Sequence, residues 1–368
     1  MKKIISILLS FVTLMSISVT AFASDNSIIQ SSDFYVLSED VPSEVVSHLE
    51  NSIVGITNDL YNSNSIEASS PFKVFNSTYD LYYSIIYSNG EIIGTYRIYK
   101  SGDSYTGIFS QSSEIIQGFQ QISSATSYNS PAKIVAGEHD DLYALIGSTV
   151  YPILSDPSGG ETSAQTLFQS NINNSLITID AMTSVPLNRT VAVSRSSPTY
   201  KFLQIGWDET QGSEPWCMAY VTASIMRYKT GKGVDTISAR SVMEWAYPDL
   251  SYTALKEKAL STSKADDFAN TYSIDPVYTA STRSYSQIVN EIKADNPVAF
   301  ICDNLKTGAK KSHAFVCRGY NDNNGNSFYS IWNPWYDEFE RIYTSDNTYV
   351  NASGTAKYKW SATMYSWD

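Results

Sequence analysis

Cysteine and histidine are scarce in this chain, three of each among 368 residues. Three thiols cannot build the disulfide framework that holds small secreted scaffolds together, and an odd number leaves at least one of them free. His48, His139 and His313 lie too far apart to offer a metal-ligand spacing with those cysteines, so neither a metal nor another cofactor is expected. Positive charge is short as well: 25 Lys and Arg face 37 Asp and Glu, a net charge of −12. The deficit is concentrated in residues 1–195, with 8 basic against 18 acidic side chains, whereas residues 196–368 carry 17 against 19. An acidic N-terminal half argues against nucleic acid as a partner. Tryptophan is missing from that half too, all seven lying at or after Trp207. Such asymmetry predicts two domains of different origin. Beyond residue 23 no apolar run approaches the ~18 residues of a membrane span, so no membrane contact is expected after the first segment is removed.

Residues 1–23 run Met-Lys-Lys, then an apolar stretch from Ile4 to Val19, then Thr-Ala-Phe-Ala ending at Ala23. A basic start, an apolar centre and an Ala-x-Ala end predict a secretory signal peptide cut after Ala23, hence a secreted, extracellular product. Residues 24–153 read as an α+β domain. Apolar residues recur at helical spacing from Val41 to Tyr61, after a Pro42 suited to a helix start. Strand-like runs follow at Phe72–Phe75, Tyr79–Tyr87, Glu91–Lys100, Tyr105–Phe109, Ala132–Ala136 and Leu142–Pro152. One helix on an antiparallel sheet is predicted, with His48 and His139 at the surface and no catalytic set. Residues 154–198, opened by Asp156-Pro-Ser-Gly-Gly-Glu and rich in Ser, Thr and Asn, read as a linker. Arg189 and Arg195 near its end predict a processing region. A second domain is predicted over 199–368.

The chemistry gathers in that second domain. Cys217 stands at a predicted helix start, with Ser213 as N-cap, Pro215 in the first turn and Gly231 and Gly233 at the far end. A thiol on a first helical turn feels the positive end of the helix dipole, which favours the nucleophilic thiolate. His313 opens the run Ala314-Phe-Val-Cys-Arg-Gly-Tyr320, the second strand of a hairpin that begins at Pro297. After the turn Asn321–Asn326, the strand Ser327–Trp332 ends on Asn333. Three adjacent antiparallel strands therefore place His313 and Asn333 together, able to face Cys217. Cys supplies a nucleophile, His a proton acceptor and Asn an uncharged acceptor for the imidazole N–H. Gln211, six residues before the cysteine, offers an oxyanion donor beside the Cys217 backbone N–H. Cys302 and Cys317 lie in apolar runs and read as buried structural thiols, with a single bridge between them as the alternative.

Residues 199–368 resemble the papain-like cysteine proteases, and most of all the short bacterial staphopain type. The resemblance rests on Gln211, on Trp216-Cys217-Met-Ala-Tyr, on Pro297-Val-Ala-Phe, on His313-Ala-Phe-Val-x-x-Gly-Tyr320 and on Asn333-Pro-Trp335, and covers about half of the chain. It implies a helical lobe carrying Cys217 and an antiparallel β-sheet lobe carrying His313 and Asn333, with Trp335 shielding the His–Asn hydrogen bond. Plant-type members have Trp after the cysteine, whereas here Trp216 precedes it and Met218 follows, so plant-enzyme subsites do not carry over. The resemblance also implies that residues 24–153 form a cystatin-like pro-domain, an intramolecular inhibitor of a monomeric zymogen.

The expected function is that of a secreted endopeptidase acting on protein or peptide substrates through an acyl-enzyme. Two alternatives stay open. One is a Cys–His amidase or acyl-transfer enzyme acting on cell wall or isopeptide bonds, disfavoured by an Asn as third member. The other is a non-catalytic secreted binding protein, disfavoured because all four polar positions are intact.

Overall fold

The computed structural model describes residues 34–60, 66–137, 140–155, 177–179, 185–186, 199–306, 312–322, 327–344 and 347–368. The predicted signal segment 1–23, His139, the pair Arg189 and Arg195, and the loop 307–311 lie outside the described residues.

Between residues 34 and 155, nine strands alternate with two helices: β1 Val36–Ser38, α1 Ser43–Leu60, β2 Ile66–Ala68, β3 Phe72–Lys73, β4 Leu81–Ser88, β5 Glu91–Ser101, β6 Ser104–Ser110, α2 Ser113–Ser123, β7 Ala132–Ala136, β8 Leu142–Ile146 and β9 Thr149–Leu154. The predicted helix and the long Tyr- and Ile-rich strands are present. The run Leu142–Pro152, expected as one strand, is a hairpin of β8 and β9. Helix α2 was not expected. Ser112 caps it by accepting from the Ile115 N–H, and Ile115, Phe119 and Ile122 bury one face at helical spacing. His48 is partly buried rather than on the open surface, with its Nε2 3.2 Å from the Tyr96 hydroxyl. Burial pushes its pKa down to about 4.

Two short strands fall inside the stretch expected as linker. β10 Ile177–Ile179 pairs with β1, and β11 Val185–Pro186 pairs with β2.

From residue 199 onward the described elements are β12 Thr199–Phe202, α3 Cys217–Thr230, α4 Ala239–Ala246, α5 Tyr252–Leu255, α6 Thr262–Asn270, β13 Val277–Thr279, α7 Tyr285–Lys293, β14 Val298–Asn304, β15 Ser312–Asp322, β16 Phe328–Trp332, β17 Phe339–Tyr343, β18 Thr348–Val350 and β19 Lys357–Tyr365. Apart from the short strands β12 and β13, helices come first and strands follow, which is an α+β arrangement. None of the described helices is long and apolar enough to cross a membrane.

Two sheets result. The smaller runs β10-β1-β7-β8-β9. The larger runs β11-β2-β4-β5-β6-β17-β16-β15-β14-β19-β13, with β3, β12 and β18 on its flanks. Its midpoint joins the two halves of the chain: β6 pairs with β17 through Phe109↔Arg341 and Ile108↔Ile342. The long strand β15 takes β14 along residues 312–317 and β12 along 319–322. Gly319 is the β15 residue paired with Phe202 of β12. A Cβ there would lie 2.3 Å from Phe202 Cδ1 and 2.6 Å from the Lys201 carbonyl oxygen, so only glycine fits.

The buried core is likewise shared. Tyr83, Tyr99 and Phe119 from the N-terminal half belong to the same apolar cluster as Phe315, Trp332 and Tyr349. A second cluster under α1 gathers Val45, Leu49, Tyr96, Ile98 and Phe109, together with Phe328 from β16.

Candidate active site

Cys217 is the first residue of α3. The expected cap is corrected here. Trp216, not Ser213, occupies the N-cap, and its side chain makes no capping bond. Its indole N–H instead donates to the Leu255 carbonyl at 3.2 Å, which anchors the helix start to α5. The first backbone N–H groups of α3 thus stay free of a side-chain cap beside the thiol. At the other end Gly231, at φ 67°, takes the left-handed cap conformation that stops the helix.

His313 lies on β15, opposite Cys302 of β14, and Asn333 follows directly on β16. The Asn333 Oδ1 accepts from His313 Nε2 at 2.8 Å and from the Trp335 backbone N–H at 3.2 Å. Since Oδ1 can only accept, the imidazole proton sits on Nε2 and Nδ1 keeps a lone pair. The Trp335 ring stacks on the imidazole, centroids 3.8 Å apart and planes 13° apart, while Phe315 meets it edge-on at 4.8 Å. Both His313 and Asn333 are buried.

Gln211 is held against the same corner, its backbone N–H donating to the Pro334 carbonyl at 2.7 Å. Its Nε2 donates to the Glu214 carbonyl at 2.6 Å, which leaves one N–H uncommitted. The Cys217 Sγ lies 4.0 Å from the Ser312 carbonyl oxygen, next to His313 in sequence. Gln211, Cys217, His313 and Trp335 all line one cavity of about 770 Å3, walled by Met218, Leu260, Ile301 and Tyr358. Asn333 stands behind the imidazole and does not line it.

Burial sets the charge state. It pushes the Cys217 thiol up to about 11, against weaker downward pulls from backbone N–H groups at Ala314, Met218 and Cys217 itself. It pushes His313 down to about 4, partly offset by the bond to Asn333. The expected thiolate is therefore not the resting species of the chain as folded. Cys217 keeps part of its surface on the cavity, so hydration can still reach it, but the helix start does not outweigh desolvation.

Cys302 and Cys317 are free and buried. Among the described residues no group of three or more His, Cys, Asp or Glu is placed to hold a metal ion.

Sequence reasoning missed the residues around this corner. Asp140, from the N-terminal half, lines the cavity. Its carboxylate accepts from the Tyr336 hydroxyl and, at 2.8 and 3.0 Å, from the Ser353 backbone N–H and hydroxyl. Burial pushes it up to about 6, against those hydrogen bonds. Behind Asn333 stand Tyr349, Glu340 and Arg97. The one local signal was weak: Glu338 and Glu340 stand in a run that mixes charged and aromatic residues, Tyr336-Asp-Glu-Phe-Glu-Arg341.

The family model described as Staphopain peptidase C47 matches residues 199–367. Over 164 residues the chain is 25% identical to staphopain A of Staphylococcus aureus, an alignment covering 43% of this chain and 41% of that protein. It is 24% identical over 164 residues to an extracellular cysteine protease of Staphylococcus epidermidis, covering 43% of this chain and 91% of that one. The chain thus spans less than half the length of the staphopain A proteins it matches.

Proposed function

From residues 199–367, which group with the staphopain-type cysteine peptidases, we propose that this chain is a secreted cysteine endopeptidase made as a zymogen. The observation that carries the reading is the convergence of Gln211, Cys217, His313 and Trp335 on one cavity, with Asn333 bonded behind the imidazole. In the proposed reaction His313 Nδ1 takes the Cys217 proton, and the thiolate attacks the scissile carbonyl carbon. The oxyanion accepts from the Cys217 backbone N–H and from the uncommitted N–H of Gln211. The imidazolium then protonates the leaving amine, and water attacks the thioester with His313 as base, releasing the acid and restoring the thiol. Asn333 keeps the imidazole in the required tautomer, and the Trp335 ring shields that bond from water.

In this proposal residues 199–368 are a papain-like peptidase domain and 24–153 a pro-domain, cystatin-like in its helix-on-sheet build, cut away within 154–198 after export. Support for inhibition comes from Asp140, which reaches the cavity from the N-terminal half. The product is taken to be monomeric and to act on protein or peptide substrates.

Cleavage of a denatured protein by chain trimmed near Arg195 tests the reading. Activity should vanish in Cys217→Ala and His313→Ala, and persist in Cys302→Ala. Equal cleavage by the Cys217→Ala protein would refute it.

A further inference from the structure

The hydrogen bond that orients the imidazole does not end at Asn333. The Asn333 Nδ2 N–H donates to the Tyr349 hydroxyl oxygen at 2.8 Å, and the Tyr349 O–H donates to Glu340 Oε2 at 2.9 Å. Glu340 Oε1 accepts from Arg97 Nη2, an ion pair with both side chains fully buried. Arg97 lies on β5, in the N-terminal half, and its guanidinium also faces the Tyr349 ring at 5.4 Å.

Each link has a fixed polarity. An ionised carboxylate can only accept, so the Tyr349 proton must point at Glu340. The Tyr349 oxygen then offers its lone pairs to Asn333, whose NH2 must turn toward it. Oδ1 is thereby aimed at the imidazole, Nε2 carries the proton, and Nδ1 is left free for Cys217. The Trp335 N–H supports the same amide orientation from the other side. A buried carboxylate persists in this role only while a counter-charge is present. Burial and the neighbouring Glu340 push Glu338 well up toward its neutral form, while Arg97 pulls Glu340 back down against its own burial; Ser110 donates to Glu338 at 2.7 Å, and so does the Gln111 backbone N–H.

We infer that Glu340 and Tyr349 are positioning residues that select the His313 tautomer through Asn333, and that Arg97 of the N-terminal half supplies the charge that holds them in that state. The inference rests on the peptidase reading for its consequence but not for its test. The N-terminal half thus acts on the site from behind as well as from the cavity side. When that half leaves, water solvates Glu340 in place of Arg97, so the carboxylate stays ionised and keeps accepting from Tyr349, whereas Arg97→Gln in the intact chain leaves it buried without a counter-charge.

Three histidines in the whole chain make the test direct. Long-range 1H–15N spectra of the full chain report which ring nitrogen carries the proton, and His313→Gln assigns the signal. At pH 7 the expected result is a single Nε2–H tautomer for His313. Tyr349→Phe, which removes one hydroxyl from a packed ring, and Glu340→Gln should each populate the second tautomer. Each should also slow the reaction of Cys217 with dipyridyl disulfide at pH 9 by about tenfold or more, the usual range for losing an outer-shell partner. Because both act through one chain, the double variant should be no slower than the worse single one. Arg97→Gln should reproduce the Glu340→Gln spectrum, and Arg97→Lys the wild-type one. An unmixed Nε2–H tautomer with wild-type thiol reactivity in both Tyr349→Phe and Glu340→Gln would overturn the inference. Failure of the wild-type chain to cleave any peptide would sink the peptidase reading while leaving the tautomer comparison to decide this one.

Discussion

Cys217 and His313 are each held neutral by their surroundings, one titrating at about 11 and the other at about 4. Both shifts have desolvation as their largest cause, so the pair stores no charge until hydration or substrate favours it. The remaining polar groups are arranged for charge that has yet to form. Gln211 has one amide N–H spent on the Glu214 carbonyl and one free, and its Oε1 is buried without a partner. An amide held this way costs nothing to reorganise when an oxyanion appears beside it. Gln211→Ala should therefore lower kcat by about 10²–10³ with little change in KM, as loss of a single oxyanion donor does elsewhere. Steady-state kinetics on a short peptide amide checks this; a change in KM alone would show that Gln211 serves substrate binding instead. Of the five candidate site residues, Gln211, Cys217, His313 and Asn333 were legible from residue type and order, and Trp335 from the family resemblance. Tyr349, Glu340, Arg97 and Asp140 were not. A tyrosine in a buried strand looks like core, and the two glutamates near it do not say which arginine meets one of them across 243 residues of sequence.

At the scale of elements, the local patterns held where one face of a helix or strand decides the structure. Helix α1, strands β4 to β7, helix α3 and the neighbours β14, β15 and β16 all fall within a few residues of the ranges read from periodicity and turns. Helix α2 escaped because Gly118 and three glutamines dilute its apolar stripe, although Ser112 and the Ile115, Phe119, Ile122 spacing were there to be read. The pairing of β12 with β15 could not be seen at all, since it depends on two segments more than a hundred residues apart. That close pairing rests on Gly319. Gly319→Ala forces a methyl against the Phe202 ring and the Lys201 backbone, and should cost about 1–3 kcal/mol, the range of core overpacking. A lowered midpoint of thermal unfolding is the expected reading, and an unchanged midpoint would contradict the close pairing.

Over the whole molecule, composition suggested two independent halves, yet β6 and β17 join them in one sheet and Tyr83, Tyr99 and Tyr349 in one core. The seam is also polar. Tyr83 and Tyr99 donate to the Ala352 and Thr348 carbonyls at 2.7 Å, and Ser113 to Asp337 at 2.9 Å. Breaking a buried ion pair such as Arg97–Glu340 by removing one partner costs about 3–5 kcal/mol, so the N-terminal half should leave only after its chain is cut, and then slowly. In the intact chain desolvation pushes the partly exposed thiol up, and the pH dependence has a definite sign. With the thiol pushed up to about 11 by desolvation, the thiolate is a minor species at neutral pH and its share rises with pH. The most direct measurement is the rate at which an epoxysuccinyl thiol inhibitor labels the protein between pH 5 and 10, before and after cleavage within residues 156–198, with the adduct mapped by peptide mass spectrometry. The expected outcome is an adduct on Cys217 alone, absent in His313→Ala, slow and climbing with pH in the intact chain and fast at neutral pH once the chain is cut and its N-terminal half released. Labelling spread over Cys217, Cys302 and Cys317, or an unlabelled Cys217 in both forms, would contradict it.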